Sequence, residues 1–508
     1  MTPPDPGPTE PDESTPWRRL SPGTMAVKPV EQLPQLIPVL IAVIFAGRGA
    51  PLFSFAATLA LVVFVTLVPW LTTRYQVTDD RVQVRSGLIT RKVATARRDR
   101  IRSVDVTAGP VHRLLRLAKV TIGTGGDNDS ATVKLNALSA VDARTLHGTL
   151  MATAPRTPAG PTVPSVSGAA VEPATRPTVL THFRPGWLVY SPFSLAGLAT
   201  AAAALGVGAQ IANEADLFER GVGTAERAAE ALRDIPVLII VAVAVVTIVL
   251  VGAVLSVVGY ILSYWNFGLT RHADGTLRTE RGLLTTTAVS FDESRIRGTH
   301  LHEPVLMRPV HGARLHGIAI GGVKHPLLLP PAPVDEAIRV GNLVAREGRE
   351  LTMPLTPHGR AARVRRLNRA LIVGAVLLTA AGAAVAAGAP RWLLVLGVLA
   401  FSASVALGVL RYRHLGHALT DRSVVIAPPR VARHRHTLDR DGIVGWTTRT
   451  SWFQRRAAVC TVTVATAAGS EGYEMVDVRD DAAADFIVAT APPWMSRFVV
   501  TTSTGSVD

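Results

Sequence analysis

One cysteine, Cys460, is all that this 508-residue sequence carries. No disulfide can join two of its own residues, and no thiolate cage can hold a metal. Cys460 lies within an apolar strand pattern and reads as a buried structural thiol. Aromatic residues are also scarce, at 5%, while 48% of residues are hydrophobic and the mean hydropathy is +0.28. That balance favours membrane spans rich in Ala, Val and Leu over one large soluble core. The opening residues lack the basic stretch, short apolar run and small-residue cleavage site of a secretory signal, so none is expected. Residues 1–31 instead form a polar tail dotted with Pro3, Pro4, Pro6, Pro8, Pro11, Pro16 and Pro22, expected to be disordered. Catalytic motifs are missing too. There is no Gly-x-Ser-x-Gly elbow, no His-Glu-x-x-His, and no paired carboxylate or nucleophile constellation, so no enzyme is expected. Gly123-x-Gly125-Gly126 follows a strand, but Asp127-Asn128-Asp129 come next where a phosphate loop would bring lysine and a helix; it reads as a hairpin turn.

The most informative absence is that of Asp, Glu, Lys and Arg over long stretches: 32–47, 49–73, 185–213, 235–270, 370–390 and 392–410. A helix needs roughly 20 apolar residues to cross a bilayer core, and buried helices of soluble proteins seldom run so long without charge. Six spans are expected; the first is short, carries Pro34 and Pro38, and reads as either a tilted crossing or a re-entrant helix. Trp70, Trp187, Tyr190, Tyr264, Trp265, Trp392 and Tyr412 sit near span ends, as an interfacial belt would. The spans come in close pairs, so each pair is a helical hairpin. The 214–234 loop of the middle pair carries six acids against three bases, whereas 74–184 carries seventeen Lys/Arg against eight acids and 271–369 sixteen against nine. The positive-inside bias then places both termini and both long segments in the cytoplasm, in a multi-pass protein of the cell membrane.

After each hairpin the chain restarts alike. Tyr75-Gln76-Val77-Thr78-Asp79-Asp80-Arg81-Val82 is matched by Phe267-Gly268-Leu269-Thr270-Arg271-His272 and by His417-Ala418-Leu419-Thr420-Asp421-Arg422-Ser423-Val424. Alternation of apolar and polar residues about a polar turn predicts a β-hairpin, and Asp274-Gly275 is a tight-turn pair. Gly87-Leu88-Ile89-Thr90 matches Gly282-Leu283-Leu284-Thr285, and Arg100-Ile101-Arg102-Ser103-Val104 matches Arg295-Ile296-Arg297-Gly298-Thr299. Strands follow over Lys119 to Gly123, Ile318 to Gly321 and Val459 to Val464, then closing strands Thr132–Leu135, Pro326–Leu329 and Tyr473–Val478. Helices are predicted to begin near Ser139, Pro333 and Asp480, with Ser139 and Asp480 as N-caps. A repeat of this kind sets the reading of the whole chain.

The pattern resembles the bacterial pleckstrin-homology (PH-like) domain family, of the YdbS/YdbT-like membrane type. The residues that carry it are Tyr75-x-Val77-Thr78-x-Asp80-Arg81-Val82, Gly87-Leu88-Ile89, Arg100-Ile101-x-Ser103-Val104 and Leu114-Leu115-Arg116-Leu117-Ala118. The third copy keeps Thr420-Asp421-Arg422 but lacks the Gly-Leu-Ile step. The resemblance implies an α+β membrane protein in which three transmembrane helical hairpins alternate with three PH-like bent antiparallel β-modules, each closed by a C-terminal helix. It implies no reaction. The expected order is a tail (1–31), hairpin 1 (32–73), module 1 (74–151), a proline-rich linker (152–184), hairpin 2 with its acidic external loop (185–263), module 2 (264–350), a basic linker (351–369), hairpin 3 (370–411), module 3 (412–495) and a tail (496–508). The stretch 351–362 reads as unstructured.

Two kinds of side chain could carry chemistry. His300-x-His302 and His434-x-His436 each place two imidazoles on one strand face. A metal site needs three or four ligands with support behind them, and neither pair has an acidic partner beyond Glu303 and Asp439, so both read as a solvated polar face. No metal and no cofactor is expected. The net charge of +15 points to an anionic surface, and with membrane spans present that surface is lipid. Candidate anionic-lipid contacts are Arg97, Arg98, Arg100, Arg102, Arg113, Arg116, Arg363, Arg365, Arg366 and Arg369. Nucleic acid is not expected, because no aromatic-studded basic sheet accompanies the charge. The expected function is a non-enzymatic scaffold that offers β-modules to membrane lipids and to a membrane or cytoplasmic protein partner. The alternative is an accessory subunit of a transporter or channel, disfavoured because Gln210 is a rare strongly polar group within the spans. Oligomeric state stays open.

Overall fold

The computed structural model describes residues 17–19, 71–78, 80–86, 92–98, 101, 103–123, 132–152, 177–193, 236–321, 323–345 and 348–491, with the single positions 21 and 206. The runs 32–47 and 49–70, most of 194–235 and the tail after 491 lie outside these residues.

Each copy supplies two sets of three strands and a closing helix. The first copy gives β1 (Arg74–Val77), β2 (Arg81–Ser86), β3 (Lys92–Arg97), β4 (Ser103–Ala108), a short α1 (Pro110–Leu114), β5 (Leu117–Gly123), β6 (Thr132–Ser139) and α2 (Ala140–Ala152). Strand β7 (Thr178–His182) and helix α3 (Val237–Tyr264) precede the second copy. That copy gives β8 (Gly268–Arg271), β9 (Thr276–Arg281), β10 (Thr286–Asp292), β11 (Ile296–Glu303), β12 (Gly312–Ala319), β13 (Leu327–Pro333) and α4 (Val334–Val344). Helices α5 (Gly359–Ala386) and α6 (Trp392–Arg413) lead to β14 (Gly416–Leu419), β15 (Ser423–Ala427), β16 (Arg433–Asp439), β17 (Ile443–Arg449), α7 (Trp452–Arg455), β18 (Val459–Thr466), β19 (Gly472–Arg479) and α8 (Asp480–Thr490). The third copy therefore keeps its full strand set without the Gly-Leu-Ile step.

The repeat is visible in single hydrogen bonds. Thr78 and Thr420 close the same turn, donating N–H to the carbonyls of Arg81 and Ser423 at 2.9 Å, with the threonine hydroxyls accepting from the same two residues. Before the penultimate strand of each copy stands a residue in the left-handed region: Arg116 (φ 52°), His311 (φ 54°) and Ala458 (φ 47°). Their carbonyls accept from the first residues of the closing helices, Ala140, Val334 and Asp480, at 2.8, 2.8 and 3.3 Å. A turned-back carbonyl here satisfies one of the N–H groups that a helix start leaves open. Ser139 caps α2 as expected, accepting from Asp142 at 3.0 Å. Asp480 does not cap α8; it is the first helical residue, after Arg479.

Sheet pairing crosses the copy boundaries. An open sheet edge invites pairing. Strand β4 pairs antiparallel with β10, from Ser103↔Phe291 to Ala108↔Thr286, giving a seven-stranded sheet ordered β6-β5-β4-β10-β9-β8-β7. Strand β11 pairs with β16, from Gly298↔Leu438 to Glu303↔Arg433, giving a six-stranded sheet ordered β13-β12-β11-β16-β15-β14. Strands β1–β3 and β17–β19 form the smaller sheets, the former with a two-residue strand at Arg18–Arg19. The chain forms two compact units: Met1–Phe183 with Ile261–Arg295 and Gly321–Val323, and Arg184–Tyr260 with Ile296–Ile320 and Lys324–Asp508. The second copy is thus shared between them, β8–β10 in the first and β11–β13 with α4 in the second.

The cores follow strand alternation. In the first unit Val82, Val104, Val120, Ile122 and Val133 pack with Leu146 and Leu150 of α2. In the second, Val424, Ile426, Leu438, Val462, Val464 and Met475 pack with Ala483 and Phe486 of α8.

Among the described residues three helices are long and apolar enough to cross a membrane: Val246–Tyr264 within α3, Gly359–Ala386 and Trp392–Arg413. Apolar side chains such as Val246, Ile372, Val376, Val395 and Leu399 face outward on them. That is the arrangement a lipid solvent favours. Helices α5 and α6 pack antiparallel through small residues, Gly374 beneath Phe401, Gly397 against Ala381 and Gly408 against Ala370.

The span limits differ from expectation. Residues 185–190 form a 3-10 helix with Trp187 buried, so the charge-poor run from 185 opens inside the folded unit. The run 235–270 ends its helix at Tyr264, and Phe267 and Leu269 are core residues leading a strand. Helix α5 starts at Gly359, not at 370, and takes the basic residues into its first turns. The end of the proline-rich linker, Thr178–His182, is a strand paired with β8. The stretch 351–362 is ordered: Leu351 and His358 are buried, and Thr356 bridges His417. Missing charge marks apolar surface, but it does not say whether lipid or protein covers it.

Candidate functional site

The β11–β16 register builds the site. Alternation places His300 and His302 on one face of β11, and His434 and His436 on one face of β16. Pairing sets His300 opposite His436, and His302 opposite His434. Strand β12 adds His316 opposite His300. The rings stack: His300 on His436 at 4.1 Å between centroids, and His302 on His434 at 4.3 Å. His300 Nε2 lies 3.0 Å from His434 Nδ1, one ring donating and the other accepting. The ring of His436 also touches Tyr473, at 5.0 Å. This face continues into Ile426 and Leu438 of the third-copy core, so the imidazoles sit at the margin of apolar packing.

Burial governs their protonation. Desolvation, with repulsion from His436, His434 and other rings, drives His300 far below the ordinary histidine value. Burial with nearby Arg314 and Arg430 lowers His302 to about 4. Burial and neighbouring imidazoles lower His434 and His436 to about 3. Burial thus holds His300, His302, His434 and His436 toward the neutral imidazole. The two pairs that looked separate in the sequence are one cluster.

The opposite face of the seam is structural. Thr299 and Thr437 are both buried, and their hydroxyls meet at 2.7 Å. Arg435, 6% exposed, donates to the carbonyls of Leu351 and Met353, and so ties the 351–358 strap to the sheet. Burial lowers its guanidinium to about 10. An open groove of about 710 Å³ runs here, bordered by Leu301, Glu303, Arg308, Ile338 and Arg433.

The candidate lipid contacts divide. Arg365 and Arg366 do not face outward; they pair with Asp477 of β19 at 3.0 and 2.7 Å, and Asp477 is 1% exposed. Gln454 donates to the same carboxylate at 3.0 Å. Arg113 and Arg116 are exposed, and Arg113 donates to the Leu283 carbonyl at 2.6 Å. Arg97, Arg363 and Arg369 are exposed and Arg98 half-buried, whereas Arg100 and Arg102 lie outside the described residues. Cys460 is buried, as expected, and burial pushes its thiol up to about 11.

Sequence reading missed Asp477, Arg435 and a second histidine contact, His358 to His417 at 3.1 Å. Only tertiary pairing brings these together, and no local pattern announces it.

A family model described as bacterial PH domain matches residues 30–154, 229–367 and 368–488. No curated protein and no solved structure matches. Each match takes in one strand set together with apolar residues ahead of it, and the three repeat through most of the sequence: the chain belongs to the bacterial PH domain family.

Proposed function

We propose that this protein is a non-enzymatic, multi-pass membrane scaffold. Its PH-like modules stand on the cytoplasmic face, carried by three helical hairpins, with both termini inside and 214–234 outside. The observation that carries the reading is the seam rule. The fourth strand of one copy takes the third strand of the next, twice over. Among the described residues two such edges keep no partner strand, Lys92–Arg97 and Ile443–Arg449. Val93 and Val444 on them are 53% and 76% exposed. Exposed edges of this kind accept an added strand from a protein partner. The groove beside Arg308 and Arg433 would offer a second place, and the exposed Arg97, Arg113, Arg116, Arg363 and Arg369 would each lean on anionic headgroups. A conducting role fits less well, since 370–390 and 392–410 hold no Asp, Glu or Lys and no Arg.

The test is photo-crosslinking in intact cells, with the probe at Val93 or Val444 and a control at Val141, which is 65% exposed on α2. A discrete protein adduct at the edges and not at the control supports the scaffold. Adducts at neither edge, or equal labelling at Val141, would count against it.

A further inference from the structure

Beyond scaffolding, the histidine seam has the makings of a metal site. We propose that His300, His434 and His436 bind a first-row divalent transition ion of the Zn²⁺ or Ni²⁺ type, with the fourth position open to solvent or an anion. One nitrogen from each ring lies within 4.8 Å of the other two. Imidazoles bound to zinc at 2.0–2.1 Å stand about 3.4 Å apart in a tetrahedron. His300 Nε2 and His434 Nδ1 are already closer, at 3.0 Å, in a hydrogen bond; for both to ligate, the donor ring's proton passes to its other nitrogen or to solvent. Ring movements of about 1.4 Å in all close the widest gap.

A second observation points the same way. Nδ1 of His436 is enclosed and has no hydrogen-bond partner. Buried polar atoms are rarely left so, and a metal is one group that satisfies them. Borderline imidazole nitrogens without carboxylate or thiolate select zinc, nickel or copper over magnesium and calcium. Glu303 is on the other face, opposite Arg433, and so supplies no ligand. Arg314 and Arg430 lie close enough to act on His302, and Arg430 also on His434. Their charge favours an anion, hydroxide or chloride, in the fourth position. The sites of the two strands are 134 residues apart in sequence. An ion here would clamp the seam between the second and third copies.

The test uses the full chain in detergent, purified without a histidine tag and stripped with chelator. Calorimetric titration with Zn²⁺ should give one strong site per chain. Co²⁺ should give the intense visible bands of four-coordinate nitrogen ligation. His300→Gln, His434→Gln and His436→Gln should each weaken Zn²⁺ binding at least about tenfold. His417→Gln, in the other histidine pair, should leave it unchanged. No saturable site, or loading that survives all three substitutions, would overturn the proposal. Weak six-coordinate Co²⁺ bands in the unaltered chain would also overturn it, and that readout needs no variant to fold.

Discussion

Asp477 is the residue whose loss should be felt most. It is 1% exposed and holds Arg365 and Arg366 of α5, whose side chains are 12% and 8% exposed. Replacing it with Asn keeps the shape and a hydrogen-bond acceptor for Gln454, but leaves two buried cations without a counter-charge. Breaking a buried pair from one side costs about 3–5 kcal/mol, because the remaining charge is desolvated and uncompensated. Asp477 also stands at φ 58°, where Asn is the best tolerated substitute, so Asp477→Asn isolates the charge term. Asp477→Ala adds a left-handed penalty of about 1–2 kcal/mol. Hydrogen exchange of the full chain in detergent reads this locally. At about 3 kcal/mol, protection of residues 472–479 should fall about 150-fold. Adding Arg366→Met removes one stranded cation and should recover at least about 1 kcal/mol, a coupling expected of residues in contact. A loss under about threefold for Asp477→Asn, or a double variant no better than the single, would refute this account of how the third copy is fastened to its helix.

Three further outcomes follow from the packing. Gly298→Ala would place a Cβ 1.9 Å from the Thr437 carbonyl oxygen, so it should cost at least about 2 kcal/mol and release exchange protection along 298–303 and 433–438. Gly397→Leu must displace Ala381, 2.8 Å from the added Cβ, and should lower the thermal midpoint in detergent through about 1–3 kcal/mol of lost α5–α6 packing. Asp105 is raised to about 6 by burial, and its Oδ1 is enclosed without a partner. Its folded value lies above the unfolded one, so the protonated form is favoured on folding. That stability is complete below about pH 4 and is lost as pH rises through 6, up to about 3 kcal/mol. Asp105→Asn should therefore stabilise the chain at pH 8 and do nothing at pH 4 in thermal melts.

The repeat, the strand periods and the closing helices were legible because each is local: period-two alternation, Thr-Asp turns and Ser139 as a cap all lie within a few residues. Span ends were less so. Phe267 and Trp187 belong to uncharged runs yet are buried by protein, and hydropathy has no means of telling one apolar surround from another. The stretch 351–362 read as unstructured, yet the buried Leu351 and His358, with Arg435 gripping the backbone, hold it in place. Pairing of β4 with β10 and of β11 with β16 joins residues far apart in the chain, and nothing in either strand names its neighbour. The candidate site lives on that pairing, so only half of it could be read from each pair of histidines.

Sequence copies and sheets are therefore different units, and experiments that cut between copies should expose the difference. A fragment ending at residue 350 contains two complete copies, but it leaves Gly298–Glu303 without β16 and opens an edge that carries Thr299 and Leu301, both buried in the intact chain. An open edge with apolar side chains pairs with whatever strand it meets. The fragment should self-associate on gel filtration, and co-expression with 351–508 should return it to a single species by restoring the seam. Gly298→Ala should block that rescue, since it obstructs the same six-residue register. A fragment 1–350 that stays monodisperse alone would mean the copies fold independently and that their pairing is incidental; rescue that ignores Gly298→Ala would mean that association runs through some other surface.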